Sequence, residues 1–98
     1  MITLDDLKNY LNITYTDQDV DAKLAGILAR ADKYVRSRTS AAANDTLTET
    51  EEQLVYDACR YMFNDAFEDF EGNYMHILTA ERAARQVAAA ESEEENAG

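Results

Sequence analysis

The sequence predicts an all-α fold: a small helical bundle of three core helices, followed by an Ala-rich C-terminal helix and an acidic tail. Three observations carry that expectation. The chain has no proline and only three glycines, so helix breakers are scarce. Apolar residues recur at spacings of three and four along most of its length. No alternating apolar run exceeds Ile13–Thr14–Tyr15, which is too short to pair as a strand.

The first helix is expected over residues 3–12. Thr3 with Asp6 has the spacing of a capping box, and Leu4, Leu7 and Leu11 share a face. Asn12–Thr16 reads as a connector with Ile13 tucked inward. The second helix is expected over 17–38, capped by Thr16 or Asp17, with Asp17, Asp19 and Asp21 placed where the helix dipole favours anions. Val20, Leu24, Ile27, Leu28, Ala31, Tyr34 and Val35 form its apolar stripe, and Lys33, Arg36 and Arg38 crowd its last turns. Thr39–Leu47 is a polar loop of small residues. The third helix is expected over 49–71. Thr48–Glu51 and Thr50–Gln53 both have capping spacing, and the main stripe runs through Val55, Cys59, Met62, Phe63, Ala66, Phe67 and Phe70, with Leu54, Ala58 and Tyr61 widening it. Gly72 offers a left-handed stop. Residues 1–72 are thus the expected bundle core. Residues 73–98 are the expected docking segment: an alanine-rich helix from Tyr74 to about Ala90 with a thin apolar footprint, then ESEEENAG, disordered when alone.

The chain has 98 residues, room for one domain. Alanine supplies 16 of its apolar residues, so the core is slighter than the 46% hydrophobic content suggests. A single cysteine, Cys59, excludes an internal disulfide, and a single histidine, His76, excludes a Cys/His zinc site. Association with other chains is the remaining source of support. No apolar run approaches the roughly 18 residues of a membrane span. The first residues carry acids where a signal peptide carries bases, which points to the cytosol as the place of assembly.

Net charge is -11, against sequence-independent binding to nucleic-acid backbones. It is unevenly placed: net -1 over residues 1–48 and net -10 over 49–98. Two readings follow: two solvated faces, or head-to-tail packing in which the basic part of one subunit meets the acidic part of the next. On the second reading the candidate subunit interface is Arg30, Lys33, Arg36 and Arg38 against Glu68, Asp69 and Glu71. The candidate docking residues of the C-terminal segment are Tyr74, Ile77, Leu78 and Val87.

Chemistry is sparse. Asp17, Asp19 and Asp21 imitate the start of a calcium loop, but Ala22 and Leu28 stand where its glycine and glutamate belong. Asp5–Asp6 and Glu51–Glu52 are explained as helix-start acids. Cys59 lies in a core stripe, and His76 has no nucleophile partner in any recognisable arrangement. No enzyme activity, cofactor or metal is expected.

The segments MITLDDLKNYLNI and TDQDVDAKLAGILARADKYVRSRT resemble the N-terminal half of the tailed-bacteriophage head–tail connector (adaptor, or head-completion) proteins. The residues that fit are Met1, Thr3 to Lys8, Tyr10, Leu11, Asp17, Asp19, Leu24, Ile27, Leu28, Ala31, Tyr34, Val35 and Thr39. Ser40 stands where glycine is common, helix 3 lacks the proline often found at its start, and no motif match extends past Gly72. The resemblance implies a structural virion protein of the neck, assembled in the host cytoplasm. Its implied partners are further copies of itself in a cyclic ring, twelve-fold in the family pattern, the portal protein, and a stopper or tail-completion protein. Genomic DNA would pass through without specific binding, and no membrane is involved. Two other readings remain open at this point: an acidic DNA-mimic inhibitor of a phage, and a generic helical adaptor.

Overall fold

A computed structural model of the chain describes residues 2–97, with side chains described through Glu91. Four helices follow one another: α1 (Leu4–Tyr10), α2 (Gln18–Thr39), α3 (Glu49–Phe63) and α4 (Phe70–Ala97), with a single 3-10 turn at Phe67–Asp69 before the last. Among the described residues there is no strand. The all-α expectation holds.

Each of the first three helices starts as its sequence dictates. Thr3 and Thr48 make full capping boxes with Asp6 and Glu51. Asp17 accepts from the backbone N–H groups of Asp19 and Val20 at 2.9 and 3.2 Å. Their ends are closed by left-handed residues that are not glycine: Asn12 (φ 61), Ser40 (φ 66) and Asp65 (φ 56). In each case the next residue's N–H reaches back five positions, as in Ile13 N to Lys8 O at 2.9 Å and Ala66 N to Tyr61 O at 2.8 Å. Ser40 therefore occupies a position for which glycine is better suited.

These closures correct the expected third helix. It ends at Phe63, not at residue 71, because Asn64 and Asp65 terminate it: Asn64 Nδ2 donates to Arg60 O at 2.9 Å, and Asp65 adopts the left-handed conformation. Gly72 stops nothing. It lies within the first turn of α4, where even a Cβ would meet no neighbour within 4 Å. The acidic tail was expected to be disordered when alone. Its backbone instead continues α4 to Ala97, since alanine and glutamate are good helix formers and no breaker intervenes.

The core is one cluster. Leu7 comes from α1; Leu24, Ile27, Ala31 and Val35 from α2; Leu54, Val55, Ala58 and Cys59 from α3; Phe70 and Leu78 from α4. α2 is the central rod and touches the other three helices. Ile13 packs on the cluster from the connector, as expected. One end is closed by aromatic rings. Phe70 stacks on Tyr74 at 4.4 Å between centroids, and Tyr34 meets Phe67 edge-on at 4.9 Å. α1 is tied down by polar contacts as well. Lys8 pairs with Asp21 at 2.9 Å, and the Tyr10 hydroxyl donates to Asp57 of α3.

The molecule is elongated. Its extents are 54 × 25 × 16 Å and its radius of gyration is 15.3 Å, against about 13 Å for a compact chain of 100 residues. α4 is the cause: its 28 residues span roughly 42 Å and overshoot the bundle.

Candidate interaction surfaces

The α2 bases divide into two groups. Arg36 is used inside the chain: its Nε donates to Asp32 at 2.9 Å, and its Nη1 donates to the carbonyls of Ala42 and Asp45. It thereby fixes the loop between α2 and α3. Arg38 pairs with Glu71 at 2.8 Å and lies over the Tyr34 ring at 5.2 Å. The expected pairing between the basic part of α2 and the acids after α3 is thus made within one chain for Arg38 and Glu71. Arg30 and Lys33 are exposed, and neither has an ion-pair partner among the described residues. Glu68 and Asp69 are exposed on the 3-10 turn. Of the seven expected interface residues, four have no ion-pair partner among the described residues: Arg30, Lys33, Glu68 and Asp69.

The four expected docking residues separate as well. Leu78 is 2% exposed and belongs to the core, so it is withdrawn from any outside partner. The α4 stripe that looked thin in the sequence carries it inward, in line with Phe70 and Tyr74. Tyr74 and Ile77 are half-buried at the rim of the core. Val87 is 57% exposed.

Glu51 and Arg85 form a site that sequence reasoning missed. Glu51 is completely buried. Arg85 grips both its carboxylate oxygens, Nε to Oε2 and Nη2 to Oε1, each at 2.6 Å. The same guanidinium donates to Thr46 O at 3.0 Å and reaches Asp45 Oδ2 at 3.4 Å. The backbone N–H of Thr48 donates to Glu51 Oε1 at 2.9 Å, and the Thr48 hydroxyl donates to Glu81 of α4 at 3.1 Å. Burial by itself would raise the Glu51 pKa. The Arg85 hydrogen bonds, the Thr48 backbone, the nearby Thr39 hydroxyl and the Arg85 charge outweigh it and hold the carboxyl at about 2. The capping role of Glu51 was visible in the sequence. Its partner 34 residues onward was not, because no local spacing rule reaches that far.

This arrangement is a latch. Beyond Leu78, no described residue of α4 is buried: Glu81 and Arg85 are half-covered, and Gln86 to Glu91 are exposed without exception. Polar contacts to the Asp45–Glu51 segment are what hold this stretch down. Past Arg85 the helix projects as an arm, roughly 18 Å long to Ala97 at 1.5 Å per residue.

Cys59 is buried, and burial, with the nearby Asp32 charge, pushes its thiol up to about 12, so it packs as a small apolar group. His76 is exposed. Among the described residues no three His, Cys, Asp or Glu side chains are grouped to hold a metal ion, and no helix is long and apolar enough to cross a membrane.

The fold and its surfaces define a small all-α structural module whose outward faces, rather than a cleft, carry its distinctive groups. Residues 1–94 match the family described as phage gp6-like head-tail connector protein, and the chain belongs to that family. The match takes in all of α1 to α3 and nearly all of α4. No curated protein and no solved structure matches the chain. Membership makes this a structural phage connector protein. It implies a place in the virion neck, oligomerisation, and association with portal and tail proteins.

Proposed function

We propose that the chain is one subunit of a ring seated beneath the portal, extending the DNA channel and joining head to tail. The observation that carries this reading is the connector-family match over residues 1–94, which includes the projecting α4 as well as the bundle. Three physical features support it. The core is slight for an isolated domain and gains from neighbours. Arg30 and Lys33 on α2 are exposed bases and Glu68 and Asp69 after α3 are exposed acids, groups that can meet their opposites on a neighbouring copy. The strong negative charge suits a conduit: an acid-lined channel repels phosphate and lets DNA slide, whereas a basic groove would hold it.

On this reading the portal covers one side of the ring, and a stopper or tail-completion protein covers the other. Residues 73–98 serve as the docking segment, with Tyr74 and Ile77 at its root and Val87 on its exposed part. The test is native mass spectrometry and electron microscopy of the full chain, alone and with its portal protein. Closed rings on the portal are the expected result, and the measured mass gives the copy number. A chain that stays strictly monomeric and ignores the portal would overturn the proposal.

A further inference from the structure

We infer that the segment from Asp45 to Glu51 is a preformed guanidinium-binding socket: it keeps its shape without α4, holds Arg85 as an exchangeable ligand, and accepts an arginine side chain from outside the chain in its place. The socket belongs to the single chain and stands or falls apart from ring assembly.

The two carboxylates that meet Arg85 already have local donors. Glu51 Oε1 takes the Thr48 backbone N–H at 2.9 Å as well as Arg85 Nη2. The Thr48 hydroxyl in turn accepts from the Glu51 backbone N–H at 3.1 Å, so the pair is the cap of α3 and forms with that helix. Asp45 Oδ2 takes the Ala42 backbone N–H at 2.8 Å as well as Arg85 Nη1. That turn is pinned from α2, where Arg36 Nη1 donates to the carbonyls of Ala42 and Asp45. All of these bonds are made without α4. Beside the carboxylate is the Thr39 hydroxyl. It is fully buried, has no hydrogen-bond partner among the described residues, and stands near enough to Glu51 to help lower its pKa. It is a spare donor for the oxygen that Arg85 would vacate.

The socket without Arg85 is specific in charge and shape. Asp45 and Glu51 bring two carboxylates, while the nearby Arg36 is paired with Asp32 at 2.9 Å. The hydrogen bonds survive the loss of Arg85 but the charge of Glu51, fully shielded from water, is left without a counterion, so the site draws a cation. Its acceptors are Glu51 Oε1 and Oε2, Thr46 O and Asp45 Oδ2. They meet the three nitrogens of one planar fork, an arrangement that an ammonium, a point charge on its stem, does not match. The rest of α4 does little to hold Arg85 there. Beyond Leu78 the helix buries no described residue, so lifting its end uncovers little apolar surface.

The experiment uses the full chain with Arg85→Ala. Thermal unfolding is followed by circular dichroism with methylguanidinium chloride or N-acetyl-arginine amide, and with methylammonium chloride or N-acetyl-lysine amide as equally charged controls. Both guanidinium compounds should raise the melting temperature saturably, by several degrees, and the ammonium compounds should not. Wild type, whose socket is filled, and Glu51→Leu/Arg85→Met, which has none, should not respond. If Arg85→Ala is unfolded from the outset, the same titration should restore its helical signal. Arg85→Lys keeps the charge and loses the fork, and should melt well below wild type. Guanidinium and ammonium compounds acting alike on Arg85→Ala, no response to either, or Arg85→Lys melting with wild type would each overturn the inference. Methylguanidinium acting where N-acetyl-arginine amide does not would overturn the exchange with outside arginines. None of these readouts needs a ring, so a chain that never assembles would remove the ring reading alone.

Discussion

Around α2 and α3, Ile27, Ala31, Val35, Val55, Ala58 and Cys59 are shut off from water. Along α4 beyond Leu78 no described residue is. The body is held by apolar burial, worth about 1.5–3 kcal/mol for each large aliphatic or aromatic side chain. The arm is held by one buried ion pair and its hydrogen bonds. Apolar burial is non-directional and tolerates conservative change. A buried ion pair stabilises only while both partners are present, since either one alone is a desolvated charge. The two regions should therefore respond differently to the same kinds of perturbation.

The largest effect is expected in the body. Phe70 is fully buried and stacks between Tyr74 and Phe67, so Phe70→Ala should cost about 3–5 kcal/mol, read as a fall in the urea midpoint. Removing the latch comes next. Arg85→Ala leaves Glu51 buried and unpaired and should cost about 3 kcal/mol. A Glu51→Leu/Arg85→Met double variant should recover most of that, because apolar groups replace the pair. Failure to recover would mean that the latch does more than satisfy its own charges.

The latch also sets the acid response. The carboxyl of Glu51 is held at about 2, below its ordinary 4.5, so its contribution is full above pH 4.5 and is lost as pH falls toward 2. The shift corresponds to about 3 kcal/mol. In acid titrations followed by circular dichroism, wild type should start close to the double variant above pH 4.5 and fall below it in that window. A constant gap between them would contradict the assignment.

Smaller effects test the joints. Ser40 is left-handed at φ 66, so Ser40→Gly should stabilise the chain by about 0.5 kcal/mol, a rise of a few degrees in melting temperature. Arg38→Ala removes an ion pair whose two side chains are both well exposed, and should cost less than about 1 kcal/mol.

How much of this was legible in the sequence follows the same division. The core stripes of α2 and α3 could be read residue by residue, because helical period and burial are local matters. So could the caps at Thr3, Asp17 and Thr48. The end of α3 was misread because the eye goes to glycine, and here Asn64 and Asp65 close the helix through side-chain and left-handed backbone geometry. Leu78 was placed outside and lies inside, because the footprint of α4 makes sense only once Phe70 is known to begin that helix rather than end the previous one. Arg36, Arg38 and Glu71 were read as partners for another subunit. Long side chains next to a loop and a helix start find nearer partners within the fold. Arg85 and Glu51 were invisible as a pair, since their meeting is a product of tertiary packing alone.

The central claim is that the stretch of α4 beyond Leu78 is tied to the body by the Glu51–Arg85 latch and not by apolar burial. Amide hydrogen exchange of wild type and the Arg85→Ala variant tests it most directly. In wild type, amides of α2 and α3 should be strongly protected and those from Gln86 onward only weakly; in Arg85→Ala the weak protection should spread back to Glu81. Amides from Glu81 to Arg85 that exchange at the same rate in both chains would contradict it.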